Sequence, residues 1–171
     1  MIGMRFSKPL GNVEDYAKAA QWCNKNNATI EDKGDFYEVV TIPNPTLAEI
    51  KARKLTTIDA ETSAAILAGF DYTIDGTSYH FSYDSFDQQN FSDTANMCQL
   101  ALAGTPGLPT SVVWNSYLED GTLVQQTFDA QNFLLLYTAG AIQHKAAQMT
   151  IGGQRKAQVW AAQTKEEVEA I

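Results

Sequence analysis

Asp75-Gly76 lies between two alternating runs, Phe70–Ile74 and Thr77–Phe81, and this pattern calls for a two-residue β-hairpin. With these two residues as the loop, Ile74 faces Thr77, Tyr72 faces Tyr79 and Phe70 faces Phe81. Cross-strand partners share a face, so all six side chains fall on one side of the ribbon. Asp71, Thr73, Ser78, His80 and Ser82 take the other side. The one-sided aromatic face predicts the wall of a core. His80 is then an incidental resident of the polar side.

The rest of the composition narrows the function classes. The chain has 171 residues, 44% of them apolar and 11% aromatic, which suits a folded protein rather than a disordered one. Its formal charge of -8 argues against a nucleic-acid partner and against docking on an anionic membrane. No run approaches the ~20 apolar residues of a spanning helix. MIGMRFSKPLG lacks the apolar centre of a secretory signal, so the expectation is an intracellular product. Cys23 and Cys98, the only cysteines, are then expected as reduced core residues.

The chain predicts an α+β fold in two parts. Residues 1–43 form a small helix-plus-hairpin module, and residues 46–171 a domain that alternates helices with β-hairpins. In the first part Asn12 caps a helix whose apolar stripe is Val13, Tyr16, Ala17, Ala20 and Cys23. A hairpin follows with Lys33-Gly34 near its tip, pairing Ile30 with Tyr37 and Ala28 with Val39. Pro43-Asn44-Pro45 forms an extended, non-helical link.

Thr46-Leu-Ala-Glu49 is a capping box opening a helix of about 22 residues, roughly 33 Å long. Leu47, Ile50, Leu55, Ile58, Ala65 and Ile66 supply its apolar face. Its length suggests a stalk, a coiled-coil contact or a long edge of the domain. A helix anchored by Met97, Leu100 and Leu102 follows the first hairpin. A second hairpin then turns at Glu119-Asp120-Gly121. Its expected pairs are Tyr117 with Val124 and Val113 with Phe128 on one side, and Leu118 with Leu123 and Trp114 with Thr127 on the other. Such a ribbon is apolar on both faces, either buried between layers or part of an interface. Asp129 caps the next helix, which Gly152-Gly153 should weaken or kink. Thr164-Lys-Glu-Glu167 caps a short terminal helix.

Candidate chemistry is sparse. His80 opposite Asp71 could be an acid/base or metal pair, or a cross-strand polar contact; the contact is the simpler reading. Asp84, Asp87 and Asn90 lack the glycine and glutamate that a calcium loop requires, since Gln89 and Ala95 hold those places. They read as capping and turn residues. No serine elbow or phosphate loop is present. Tyr72, Tyr79, Phe81, Tyr83 and Phe86 suit either a recognition patch or a core.

Lys51-Ala-Arg-Lys-Leu55, Ala68-Gly-Phe70, Tyr72-Thr-Ile-Asp-Gly76, Tyr79-His-Phe81, Asp87-Gln-Gln-Asn90, Val113-Trp114 and a later helix with His144 follow in order. The pattern resembles the bacteriophage and prophage domain DUF4376, over about Thr46 to Ile171. The resemblance implies a non-enzymatic tail-associated protein and brings no catalytic residue, and the residues themselves lead to the expectation of no metal and no cofactor. Its partner would be the tail fibre or another tail protein, and it would act as an assembly chaperone or a small structural component. A homo-oligomer is an open alternative. Such a protein would reside in the bacterial host cytoplasm during assembly, or in the virion tail. The expected partner-binding residues are Leu47, Ile50, Ile58, Trp114, Tyr117, Tyr137 and Trp160. Two alternatives stand beside this reading: a receptor- or glycan-binding tail tip, and a small phage enzyme or host-modulating factor using the His80 face.

Overall fold

In the computed structural model, which describes residues 1–171, the architecture is α+β with two separate antiparallel sheets. The chain divides into two units, Met1–Thr46 and Leu47–Ile171.

In the first unit, β1 (Arg5–Ser7) and β2 (Ala28–Asp32) flank β3 (Phe36–Thr41), and α1 (Val13–Cys23) packs on the sheet. Asn12 caps α1, accepting from the N–H groups of Glu14 and Asp15. The buried face of α1 is Ala19 and Cys23, flanked by Tyr16, while Val13 is exposed, so the core stripe is rotated from the expected one. The hairpin also differs from expectation. Ile30 pairs with Val39 and Ala28 with Thr41, because Lys33 donates to the Phe36 carbonyl, the loop is Gly34-Asp35, and the register slides by two residues. An even slip keeps each side chain on its face. The strand β1 has no counterpart in the sequence reading; three residues are too short for alternation to register.

The second unit has a four-stranded sheet in the order β4 (Phe70–Ile74), β5 (Thr77–Phe81), β6 (Ser111–Tyr117), β7 (Leu123–Asp129). β4 and β5 pair in the expected register, Phe70 with Phe81, Asp71 with His80 and Tyr72 with Tyr79. Asp75 and Gly76 both have positive φ, 48° and 80°, as the two-residue turn requires. Five of the six residues on that side, Phe70, Tyr72, Ile74, Tyr79 and Phe81, pack into the core with Phe91, Cys98, Phe128, Phe133 and Leu136, while Thr77 beside the turn is exposed.

The second hairpin is a correction. Tyr117 pairs with Leu123, Val113 with Thr127 and Trp114 with Gln126, one residue out of the expected register. The cause is the loop: Leu118 donates to the Thr122 carbonyl, leaving three residues, Glu119-Asp120-Gly121, with Gly121 at φ +82°. One residue of slip exchanges the faces. Val112, Trp114, Ser116, Val124 and Phe128 now share the core side, while Val113 and Leu123 are exposed. The ribbon is one-sided.

Two long helical segments complete the unit. α2 (Leu47–Leu67) is no free stalk. It lies against α5 (Gln143–Ala161), and Ile58, Val159, Ala162 and Val168 form a second core cluster with α6 (Lys165–Glu169). The helices run antiparallel, since Lys51 bonds the Trp160 carbonyl at 3.0 Å while Glu61 pairs with Arg155 at 2.6 Å. α3 (Ser85–Leu102), capped by Asp84, buries Phe91, Ala95 and Cys98, whereas the expected anchors Leu100 and Leu102 are exposed.

α4 (Ala130–Leu135) passes into α5 through a π-helical turn, Leu136–Ile142. The expected weak point at Gly152-Gly153 is unbroken helix. A Cβ at Gly152 would lie 2.3 Å from Thr62 Oγ1, so this glycine permits the close crossing of α2 rather than a kink. The irregularity sits at Gly140 instead, where a Cβ would meet Phe70 Cε2 at 2.5 Å. π turns are where a helix re-phases its side chains, and here the missing side chain leaves room for the Phe70 ring.

Candidate functional site

β5 and β6 share one paired position, His80 with Tyr117, and diverge towards their turns. The divergence opens a cleft of about 1160 Å³. Its walls are Asp71, Gly76, Thr77, Ser78 and His80 from one hairpin and Tyr117 to Gly121 from the other. The polar side of the first ribbon therefore does face a concavity, with Glu119 and Asp120 across from it.

His80 occupies that cleft with both ring nitrogens engaged. Nδ1 lies 2.9 Å from Asp71 Oδ1, and Nε2 lies 3.0 Å from the Ala68 carbonyl. A carbonyl oxygen only accepts, so Nε2 is the donor. Ala68 is at the end of α2, where carbonyls lack helical partners. His80 thus ties β5 to a helix terminus, and neither nitrogen is left for a metal or a substrate proton. Gly69, at φ +91°, makes the approach possible: a Cβ there would stand 2.3 Å from the Phe81 carbonyl and 2.7 Å from His80 Nε2. Asp120 is committed as well. The Thr122 N–H beside it holds its carboxyl below the usual carboxylate range. Asp84 caps α3, and burial pushes the Asp87 carboxyl up, with the Asp84 charge adding to the effect.

The expected binding residues are dispersed. Ile58 is 0% exposed inside the α2–α5–α6 cluster, with Leu47 and Ile50 packed against it. This corrects Ile58 as a surface anchor: the apolar face of α2 is taken up by its own unit. Trp114 packs on Phe91 at 4.3 Å and Phe133 at 5.1 Å, as part of the core layer. Tyr117 lines the cleft. Tyr137 stacks over Phe91 and faces a groove between α3 and α5. Trp160 is 66% exposed. Of the aromatic set around the first hairpin, Phe81 and Tyr83 are buried, Tyr72 and Tyr79 pack on the core, and Phe86 is exposed.

Sequence reasoning missed the surface beside Tyr137. Ile142, Ala146 and Met149 line the groove of about 600 Å³ with Tyr83 and Gln88, and Lys145 Nζ reaches Gln88 Oε1 at 2.9 Å across it. Met149 is 58% exposed. From Ile142 at the end of the π turn, the exposed residues Ala146, Met149, Gly153 and Trp160 continue along α5, away from buried Gly152 and Val159. The available signal was the recurrence of Ile142, Ala146 and Met149 at three- and four-residue spacing.

Residues 49–171 match the family model described as Domain of unknown function (DUF4376), and the chain belongs to that family. No curated protein and no solved structure matches it.

Proposed function

For this member of DUF4376 we propose a non-enzymatic role: it binds a phage tail fibre or another tail protein, as an assembly chaperone or a small structural component. The observation that carries the reading is the set of exposed apolar side chains Ile142, Met149 and Trp160 along α5 and the turn before it, of which Ile142 and Met149 line the groove beside α3. Exposed large apolar side chains gathered along one element favour a protein partner. The commitment of both His80 nitrogens to structural bonds lends further support, because it withdraws the strongest catalytic candidate. The tail setting rests on the phage and prophage character of the domain the sequence resembles.

Co-expression with the fibre protein of the same phage tests the reading. A complex by size-exclusion chromatography is expected, with Met149→Glu and Trp160→Glu each lowering the bound fraction. No complex, together with no gain in fibre solubility, overturns it.

A second reading draws on the cleft itself, where Asp71, Ser78, His80 and Tyr117 converge. A small polar ligand there would place the protein among ligand-binding or host-modulating factors. Chemical-shift changes confined to Ser78, Tyr117 and Asp120 on titration with a metabolite or glycan library would favour it.

A further inference from the structure

Four strands lie at sheet edges, and three are guarded. β1 has three residues and carries Arg5; β2 ends in Glu31 and Asp32; β4 has Asp71 beside its start. Short length and charge are the usual devices that keep an edge from pairing with another chain. β7 has neither. It runs seven residues, LVQQTFD, without proline or bulge, and without charge until Asp129.

The hairpin ladder says which groups this edge presents. The bond from Leu118 N–H to the Thr122 carbonyl sets its phase, so Val124, Gln126 and Phe128 exchange bonds with β6. The backbone groups of Leu123, Gln125 and Thr127 point away from β6, and no other strand pairs with them.

We propose that β7 is a dimerisation edge, at which two copies of this chain pair antiparallel about a two-fold axis through Gln125. The register follows from the backbone. Outward groups must meet outward groups, which sets Gln125 opposite Gln125, and Leu123 opposite Thr127 of the second copy. All three outward residues are then bonded. The charges agree with a second copy as the occupant. The chain carries a formal charge of -8, so two copies approach best where charge is absent. In this register the paired segment Leu123–Thr127 carries no charged side chain, so no carboxylate faces another across the seam. The two sheets would join into one continuous sheet.

Sedimentation equilibrium of the full chain tests this, with the Gln125 pair as its control. Gln125 is exposed, so a change there leaves the core intact. A dimer is expected for the native chain. Gln125→Lys and Gln125→Glu, each placing like charges face to face, should weaken it about tenfold or more. An equimolar mixture of the two variants should restore a dimer, which no loss of folding could mimic. A native chain that stays monomeric overturns the proposal. So does a dimer indifferent to both variants, or two variants that fail to recover on mixing.

Discussion

His80 and His144, the two histidines of the chain, both reach the last turn of α2: Nε2 of His80 lies 3.0 Å from the Ala68 carbonyl and Nε2 of His144 lies 3.2 Å from the Ile66 carbonyl. One comes from β5 and the other from α5, so the sheet and the long helix are fastened to the same helix end. Donors at a helix C-terminus satisfy carbonyls that have no partner within the helix.

Removing either donor should destabilise the second unit, by unequal amounts. His80→Ala loses bonds at a half-exposed site and should cost about 1 kcal/mol. His144 also packs its ring at 5.9 Å from Phe70 and 6.1 Å from Tyr83, so His144→Ala should cost about 2 kcal/mol or more. Urea unfolding of the two variants checks the order. Equal losses would mean that the ring contacts add nothing.

Neighbouring glycines on α5 should respond with opposite sign. At Gly152 a Cβ would stand 2.3 Å from Thr62 Oγ1 and 3.2 Å from Thr62 Cβ, while at Gly153 nothing lies within 4 Å. Gly152→Ala must push α2 away and should cost about 1–3 kcal/mol. Gly153→Ala removes only the backbone entropy of glycine in a helix and should stabilise by about 1 kcal/mol. Thermal unfolding followed by circular dichroism separates the two. Thr62→Ala should partly rescue Gly152→Ala.

The pair also shows where sequence reading stops. Gly-Gly in a helical run signals weakness when only local propensity is weighed, whereas the use of Gly152 depends on Thr62, ninety positions earlier. The first hairpin was legible because a two-residue Asp-Gly loop admits one register. The second was not, because Glu119-Asp120-Gly121-Thr122 serves a three- or four-residue loop equally well, and that choice decides which face Trp114 and Val113 occupy. His80 was placed opposite Asp71 by local pairing, but its bond to Ala68 depends on how α2 meets the sheet. What repeats over a few residues could be read; what two distant elements do together could not.

Alkaline pH should loosen the second unit. Burial pushes the Cys98 thiol above its ordinary 9.0, with Asp129 adding to the effect, and burial likewise raises the Tyr83 phenol above 10.0. Both groups hold their protons more tightly when folded. Their contribution is therefore complete below the unfolded values and is lost as pH rises through the folded ones. Stability should be flat to about pH 9 and then decline. Cys98→Ala and Tyr83→Phe should each flatten that decline. At pH 8 the buried thiols of Cys23 and Cys98 should resist alkylation until denaturant is added, and labelling of the native protein within minutes would contradict their burial.

Trp114 and Trp160 began as equivalent candidates for a binding surface, and fluorescence should tell them apart. Trp114 is half-buried with its ring 4.3 Å from Phe91, while Trp160 is 66% exposed. Iodide reaches only emission from accessible indoles. With Trp22 changed to Phe, quenching should therefore resolve one accessible and one protected component, and Trp160→Phe should remove the accessible one. Trp114→Ala leaves a void beside Phe91 and Phe133 and should cost about 3–5 kcal/mol. Trp160→Ala should leave unfolding nearly unchanged. Added fibre protein should then protect Trp160 from iodide while leaving Trp114 as it was, a contrast that ties the proposed contact to α5. Protection of neither residue in a proven complex would move the contact off this helix.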